Sequence, residues 1–182
     1  MEAIEMASSF DRSDRPLSLS RTVLRILVKL NILFGVLIFA LLVSTFIAAG
    51  PVFHALGAIP TPDSGGLFFA MRGIMVIGIL AAPVLHLVYT RLLAIVETVN
   101  DGDPFVSTNA IRLQAIAWAV FTLELMHVGV IMLANTVTVG TEKVDVGGKF
   151  SVTPWLTILL LFVLARVFDQ GSRMRDELAA TV

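Results

Sequence analysis

The sequence predicts an all-α integral membrane protein: a transmembrane bundle of four helices, both termini cytoplasmic, with a small extracytoplasmic β-hairpin between helices 3 and 4. Three observations predict it. The 182 residues are 57% hydrophobic and 15% charged, with a mean hydropathy of +0.89, far more apolar than an ordinary soluble domain. The apolar residues fall into four runs, and the polar segments beside them are too short to bury cores of their own. The 13 Lys and Arg residues divide ten against three between the segments on alternate sides of those runs, which by the positive-inside rule puts both ends and the middle loop in the cytoplasm.

The expected organisation is a flexible cytoplasmic segment over 1–20, one membrane domain over 21–178 and a short tail over 179–182. The first span covers 22–49. No Asp, Glu, Lys or Arg occurs from Leu30 to Pro62, a run longer than a signal-peptide core and with no small-residue cleavage site at the right distance, so a retained anchor is expected. Arg21, Arg25 and Lys29 stand at i, i+4 and i+8, one basic stripe before the apolar run, suited to anionic lipid headgroups. The second span covers 73–93, with Arg72 and Arg91 placed to snorkel to opposite interfaces and Pro83 placed to kink it.

The third span, 113–134, carries one formal charge, Glu124, near its middle. The fourth covers 153–168, with Thr153 as N-cap, Pro154 at the first helical position and Trp155 at interface depth. Its charge-free stretch is short for a hydrocarbon core of about 30 Å, so Arg166 is expected to snorkel. Beyond it the helix continues into the cytoplasm, with Asp169 and Arg173 as an i, i+4 pair and with Phe168, Met174 and Leu178 supplying apolar contacts. Of the outer loops, 50–71 reads as irregular, with a short turn around Phe53 to Leu56. The other, Thr136 to Val146, alternates with period two over a Gly-containing turn, the pattern of a hairpin.

Glu124 and His127 are three residues apart and share a helix face. An ionised carboxylate near the bilayer centre costs roughly 2.5 kcal/mol or more, so Glu124 needs a proton, a partner or a wet interior. His86 on the second span lies at nearly the same depth, so a Glu124, His127 and His86 cluster is geometrically allowed. It would serve as a proton or cation relay or a weak metal site; the alternative is a hydrogen-bonded pin between helices. The metal-binding HExxH pattern is absent, and no metal or other cofactor is expected. A chain without cysteine has no disulfide and no thiolate ligand or nucleophile. There is no GxSxG elbow or Gly-rich phosphate loop, which argues against an enzyme. A net charge of −1 argues against direct nucleic-acid binding. Small residues at Ala40, Ser44 and Ala48 and at Gly78 and Ala82 have the spacing of close helix packing; packing within the chain explains them, with homo-oligomerisation as the alternative.

The middle loop, NDGDPFVSTNAIRL, ends one helix and starts the next. Asn100, Asp101 and Gly102 are helix-ending residues, and Ser107 or Thr108 is the expected cap of the following helix. Phe105 is an apolar anchor in a polar loop. Together with the basic amino-terminal helix, the two helical extensions here could pack into a small cytoplasmic platform.

In these segments the sequence resembles a known family. GDPF, then Asn109, then Arg112 and Leu113, with a closing VFDQGSRMRDELAATV, is similar to the bacterial four-helix integral membrane family designated domain-of-unknown-function 2975. That family has a Gly-x-Pro-Phe turn, a downstream Asn and Arg-Leu, and a Phe-x-x-Gly-x-x-Leu-Arg stretch near its end. Met174 here replaces the usual leucine, and AATV departs from the usual ending. The family has no established activity. Its members are often encoded beside a small helix-turn-helix regulator, which implies a sensory or regulatory membrane protein that binds or restrains such a partner. The positions that carry the resemblance, as a docking or turn motif, are Gly102, Asp103, Pro104, Phe105, Asn109, Arg112, Phe168, Gly171 and Arg175. The resemblance assigns nothing to the Glu124 cluster, whose reading as part of a small proton- or cation-coupled transporter or channel is the rival.

Overall fold

The computed structural model describes residues 2–56, 65–135, 138–139, 142–143 and 151–179. Helix α1 spans Glu2–Ile47, α2 Ala49–Ala55, α3 Gly65–Asn100, α4 Ser107–Asn135 and α5 Thr153–Ala179. Among the described residues four helical stretches are long and apolar enough to cross a membrane: Leu19–Ile47, Gly65–Asn100, Ser107–Asn135 and Thr153–Glu177. Each contains the span expected from the sequence or nearly all of it. Helix α3 is much longer than its apolar run: 36 residues rise about 54 Å, well beyond a hydrocarbon core of about 30 Å. The excess carries the helix into the turn that precedes α4.

Residues 2–20 carry helical backbone continuous with the first span. Two local expectations are corrected. Thr153 is not the cap but the first helical residue, since the Leu156 N–H donates to the Val152 carbonyl at 3.1 Å and the Thr153 N–H donates to Ser151 Oγ at 3.4 Å. Ser107 is likewise already helical, and the Asn109 N–H donates to the Val106 carbonyl at 2.9 Å. Apolar valines therefore hold both cap positions, and side-chain chemistry is a poor guide to a helix start that the tertiary structure fixes.

The helices form an antiparallel row in chain order. Helix α1 packs on α3, α3 on α4 and α4 on α5; no comparable contact joins α5 to α1 among the described residues. At the centre, Val88, Ile116 and Ala119 are buried, with Val84, Leu92, Ile95, Leu123 and Leu161 around them. Outside that centre large apolar side chains point outward, among them Phe34, Phe39, Leu80, Leu125, Met132 and Leu160. In water such a surface would be a liability; against lipid tails it is the expected exterior, because packing rather than hydrophobicity holds membrane helices together.

Close packing uses glycine where the backbones approach. A Cβ on Gly35 would stand 3.3 Å from the Ala82 Cβ, and Gly78 faces Ile38, so the Gly78 and Ala82 pair works as its spacing suggests. On α1, Ala40 and Ala48 face outward and Gly35 is the contact instead, because α1 has a principal neighbour on one side only. Pro83 lies inside α3, where its missing N–H leaves the Ile79 carbonyl without a helical donor. One residue before it, the Ala82 carbonyl accepts from Asn31 Nδ2 at 2.9 Å, a polar tie between two membrane helices.

At the opposite end, α1 breaks at Ala48 and the short α2 follows, with Pro51 in the first turn of α2, where its lack of N–H does no harm. Phe53 is fully buried and stacks on Phe68 with ring centroids 4.1 Å apart. Arg72 is anchored on the end of α1. Its NH2 donates to the Thr45 carbonyl at 2.7 Å and its Nε to Thr45 Oγ1 at 3.2 Å, and the guanidinium lies 4.3 Å from the Phe46 ring centre. The side chain thus caps the last turn of α1, whose terminal carbonyls have no helical donor. Of the hairpin expected over Thr136 to Val146, two-residue strands, Thr138–Val139 and Glu142–Lys143, pair antiparallel; the remainder lies outside the described residues.

Candidate functional site

The residues of the middle loop and of the α5 extension, far apart in sequence, meet at one end of the row. The α3 helix ends in a Schellman turn: the Gly102 N–H donates to the Val99 carbonyl at 3.1 Å and the Asp103 N–H to the Thr98 carbonyl at 3.0 Å. This geometry needs a residue in the left-handed region, and Gly102 has φ of 80°, which glycine adopts without steric cost.

Asn109 locks this turn to both helices. It is completely buried. Its Nδ2 donates to the Pro104 carbonyl at 2.9 Å and to Thr98 Oγ1 at 2.7 Å, while its Oδ1 accepts from Arg112 NH1 at 2.9 Å. The same Arg112 nitrogen donates to the Ala94 carbonyl of α3 at 3.1 Å. The i, i+3 spacing of Asn109 and Arg112 therefore points both side chains at α3, and together they clip the start of α4 to the end of α3. A buried amide costs little only when its donors and acceptor are filled, as they are here.

The α5 extension closes on the same turn. The Phe105 and Phe168 rings lie 5.4 Å apart at 32°. Gly171 lets Phe105 come close, since a Cβ there would stand 3.1 Å from Phe105 Cδ1. Arg175 pairs with Asp103, and Asp169 holds Arg173 at 3.2 Å, as its i, i+4 spacing suggests, with Arg166 at 3.7 Å. Gly102, Asp103, Pro104, Phe105, Asn109, Arg112, Phe168, Gly171 and Arg175 thus form one site.

Their roles differ from the expectation of a docking face. Asn109 has no exposed surface and Arg112 is half-buried, so both act inside the clip. Phe105 at 46% and Met174 at 59% exposure supply the apolar outer surface, flanked by the exposed Arg173 and Arg175. Met174, expected to supply an apolar contact, is largely exposed, while the side chain of Leu178 lies outside the described residues. Thr98, the second partner of Asn109, carried no signal in the sequence, because its role depends on how the turn folds back. Asn31 and Arg72 did carry one: a lone amide within an apolar run, and an arginine at a span boundary.

The intramembrane cluster is only partly assembled. His127 Nδ1 lies 3.6 Å from Glu124 Oε2, with the Glu124 side chain 14% exposed and that of His127 58% exposed. His86 is not with them. It lies along the face of α3 beside Pro83, in clefts bordered by Asn31 on one side and Arg112 on the other. Among the described residues no group of three acidic, histidine or cysteine side chains could hold a metal ion.

No curated protein and no solved structure matches the chain. The family described as protein of unknown function (DUF2975) matches over residues 51–182, a stretch that holds every residue of the clip, and the chain belongs to that family.

Proposed function

We propose that this chain is a non-enzymatic, multi-pass protein of the bacterial inner membrane, with both termini cytoplasmic, and that the clipped ends of α3, α4 and α5 are a docking platform for a cytoplasmic DNA-binding regulator. One observation carries the reading. Asn109, Arg112 and the Asp103–Arg175 pair fix three helix ends into one surface, on which Phe105 and Met174 stand exposed beside Arg173 and Arg175. Beyond the membrane, exposed apolar side chains rimmed by charge are the usual marks of a protein-binding surface. The charge balance of ten basic residues against three puts that surface in the cytoplasm, and the family resemblance supplies the class of partner.

The orientation and the docking are tested separately. Because the chain has no cysteine, Thr108→Cys and Asn135→Cys give single thiols at the two ends of α4. Thr108→Cys should react with an impermeant maleimide only from the cytoplasmic side, and Asn135→Cys only from the other. For docking, Met174→Glu with Arg173→Glu should abolish co-purification of a DNA-binding protein that the wild-type chain retains. If the complex survives both changes, or the wild type retains no such protein, the docking reading fails.

The transport reading draws on the Glu124–His127 pair alone. Its test is Glu124→Gln in vesicles, which should abolish a pH-dependent flux that the wild type carries; a flux that persists, or none in the wild type, removes it.

A further inference from the structure

Two adjoining clefts with Pro83 and His86 in common make up a groove along α3. The outer part, about 420 Å³, is bordered by Thr90, Arg91, Ala94 and Arg112. The deeper part, about 430 Å³, runs between α1 and α3 past Ile32, Val36 and Ile79 and is almost wholly apolar. Basic groups stand at one end only. Arg91 is exposed at the end of the second apolar run, and Arg112 is held at the mouth by its bonds to Ala94 and Asn109. Among the described residues neither arginine is paired with a carboxylate.

We propose that this groove binds one anionic phospholipid, its phosphate at Arg91 and Arg112 and an acyl chain along Pro83, Val36 and Ile79. The dimensions agree. From Arg91 to Ile79 the helix rises about 18 Å, close to one leaflet of a hydrocarbon core about 30 Å thick plus the start of the headgroup layer. The chemistry agrees as well. An arginine whose backbone bonds fix it in place offers its remaining donors to a phosphate without further ordering. His86, midway, adds a polar group where the glycerol esters would lie. Asn31 spends its amide on Ala82, which leaves the deeper wall apolar. The site does not depend on the docking reading: it needs only that this end of α3 meets a headgroup layer.

The test uses the full chain purified in detergent and mixed with phosphatidylglycerol and phosphatidylcholine at equal mole fraction, with bound lipid read by native mass spectrometry. The wild type should retain phosphatidylglycerol over phosphatidylcholine by fivefold or more. Arg91→Gln should lower that ratio about fivefold, the equivalent of about 1 kcal/mol for one basic residue, and Arg91→Lys should largely keep it. Val36→Trp, which fills the deeper part, should reduce the retention of both lipids. Arg173→Gln removes an exposed charge of α5 outside the groove and should leave the ratio within twofold. Soluble glycerol phosphate should not displace the lipid. A ratio near one in the wild type overturns the proposal, as does an equal loss from Arg173→Gln, which would mean diffuse surface attraction. Displacement by glycerol phosphate, or full occupancy in Val36→Trp, overturns it too, because the acyl chain would then contribute nothing.

Discussion

Replacing Asn109 with alanine should destabilise the fold more than its position beside a surface turn suggests. The amide makes three hydrogen bonds, to Pro104, Thr98 and Arg112, from a site with no exposed surface. The two neutral bonds contribute about 1 kcal/mol each. The bond from Arg112 would be stronger in isolation, but this half-buried guanidinium keeps its Ala94 partner and can turn to water, so it too is put at about 1 kcal/mol. The expected loss is about 3 kcal/mol, measured by equilibrium unfolding in mixed micelles. Asn109→Asp should lose less: it keeps the acceptor for Arg112 but faces the Pro104 carbonyl with oxygen instead of a donor. Thr108→Ala, an exposed neighbour, should stay within about 0.5 kcal/mol. A loss below about 1 kcal/mol for Asn109→Ala would refute the clip, since α3 and α4 would then be held by apolar packing alone.

At the opposite end, Arg72→Ala should cost about 2 kcal/mol in the same assay, from two hydrogen bonds to Thr45 and the ring contact. Arg72→Lys should recover less than half of it, because an ammonium cannot reproduce the planar fork; full recovery would show that charge alone is needed. Gly102→Ala should cost about 1 kcal/mol for a Cβ in the left-handed region, and Gly102→Asn less; equal stability of all three would mean that the turn relaxes out of that conformation.

The spans were legible because each is written locally. An apolar run of sufficient length has no other stable form in a bilayer, where every backbone group must find its partner within the helix. The turn was legible for the same reason: Asn100, Asp101 and Gly102 end a helix by local sterics. The caps of α4 and α5 were misplaced by one or two residues, since valines hold both positions and have no capping side chain to mark them. The Glu124 and His127 pair follows from helix geometry, whereas adding His86 to it needed the rotation of α3 about its axis, which no local pattern contains.

The sequence by itself determined that the chain crosses a membrane, roughly where each helix lies and which residues stand together on a single helix. Only the tertiary structure decided which helices are neighbours, because lipid-facing and protein-facing side chains are equally apolar and hydropathy does not separate them. It made the row open, turned Arg72 inward onto Thr45 and drew Phe105, Asn109, Arg112 and Arg175 from two distant segments into one clip. Those contacts depend on the crossing of α3, α4 and α5 in space. Asn109 and Arg112 join α3 to α4, the Phe105–Phe168 contact and the Asp103–Arg175 pair bring in α5, and the partners on α5 lie too far along the chain for any spacing rule to reveal.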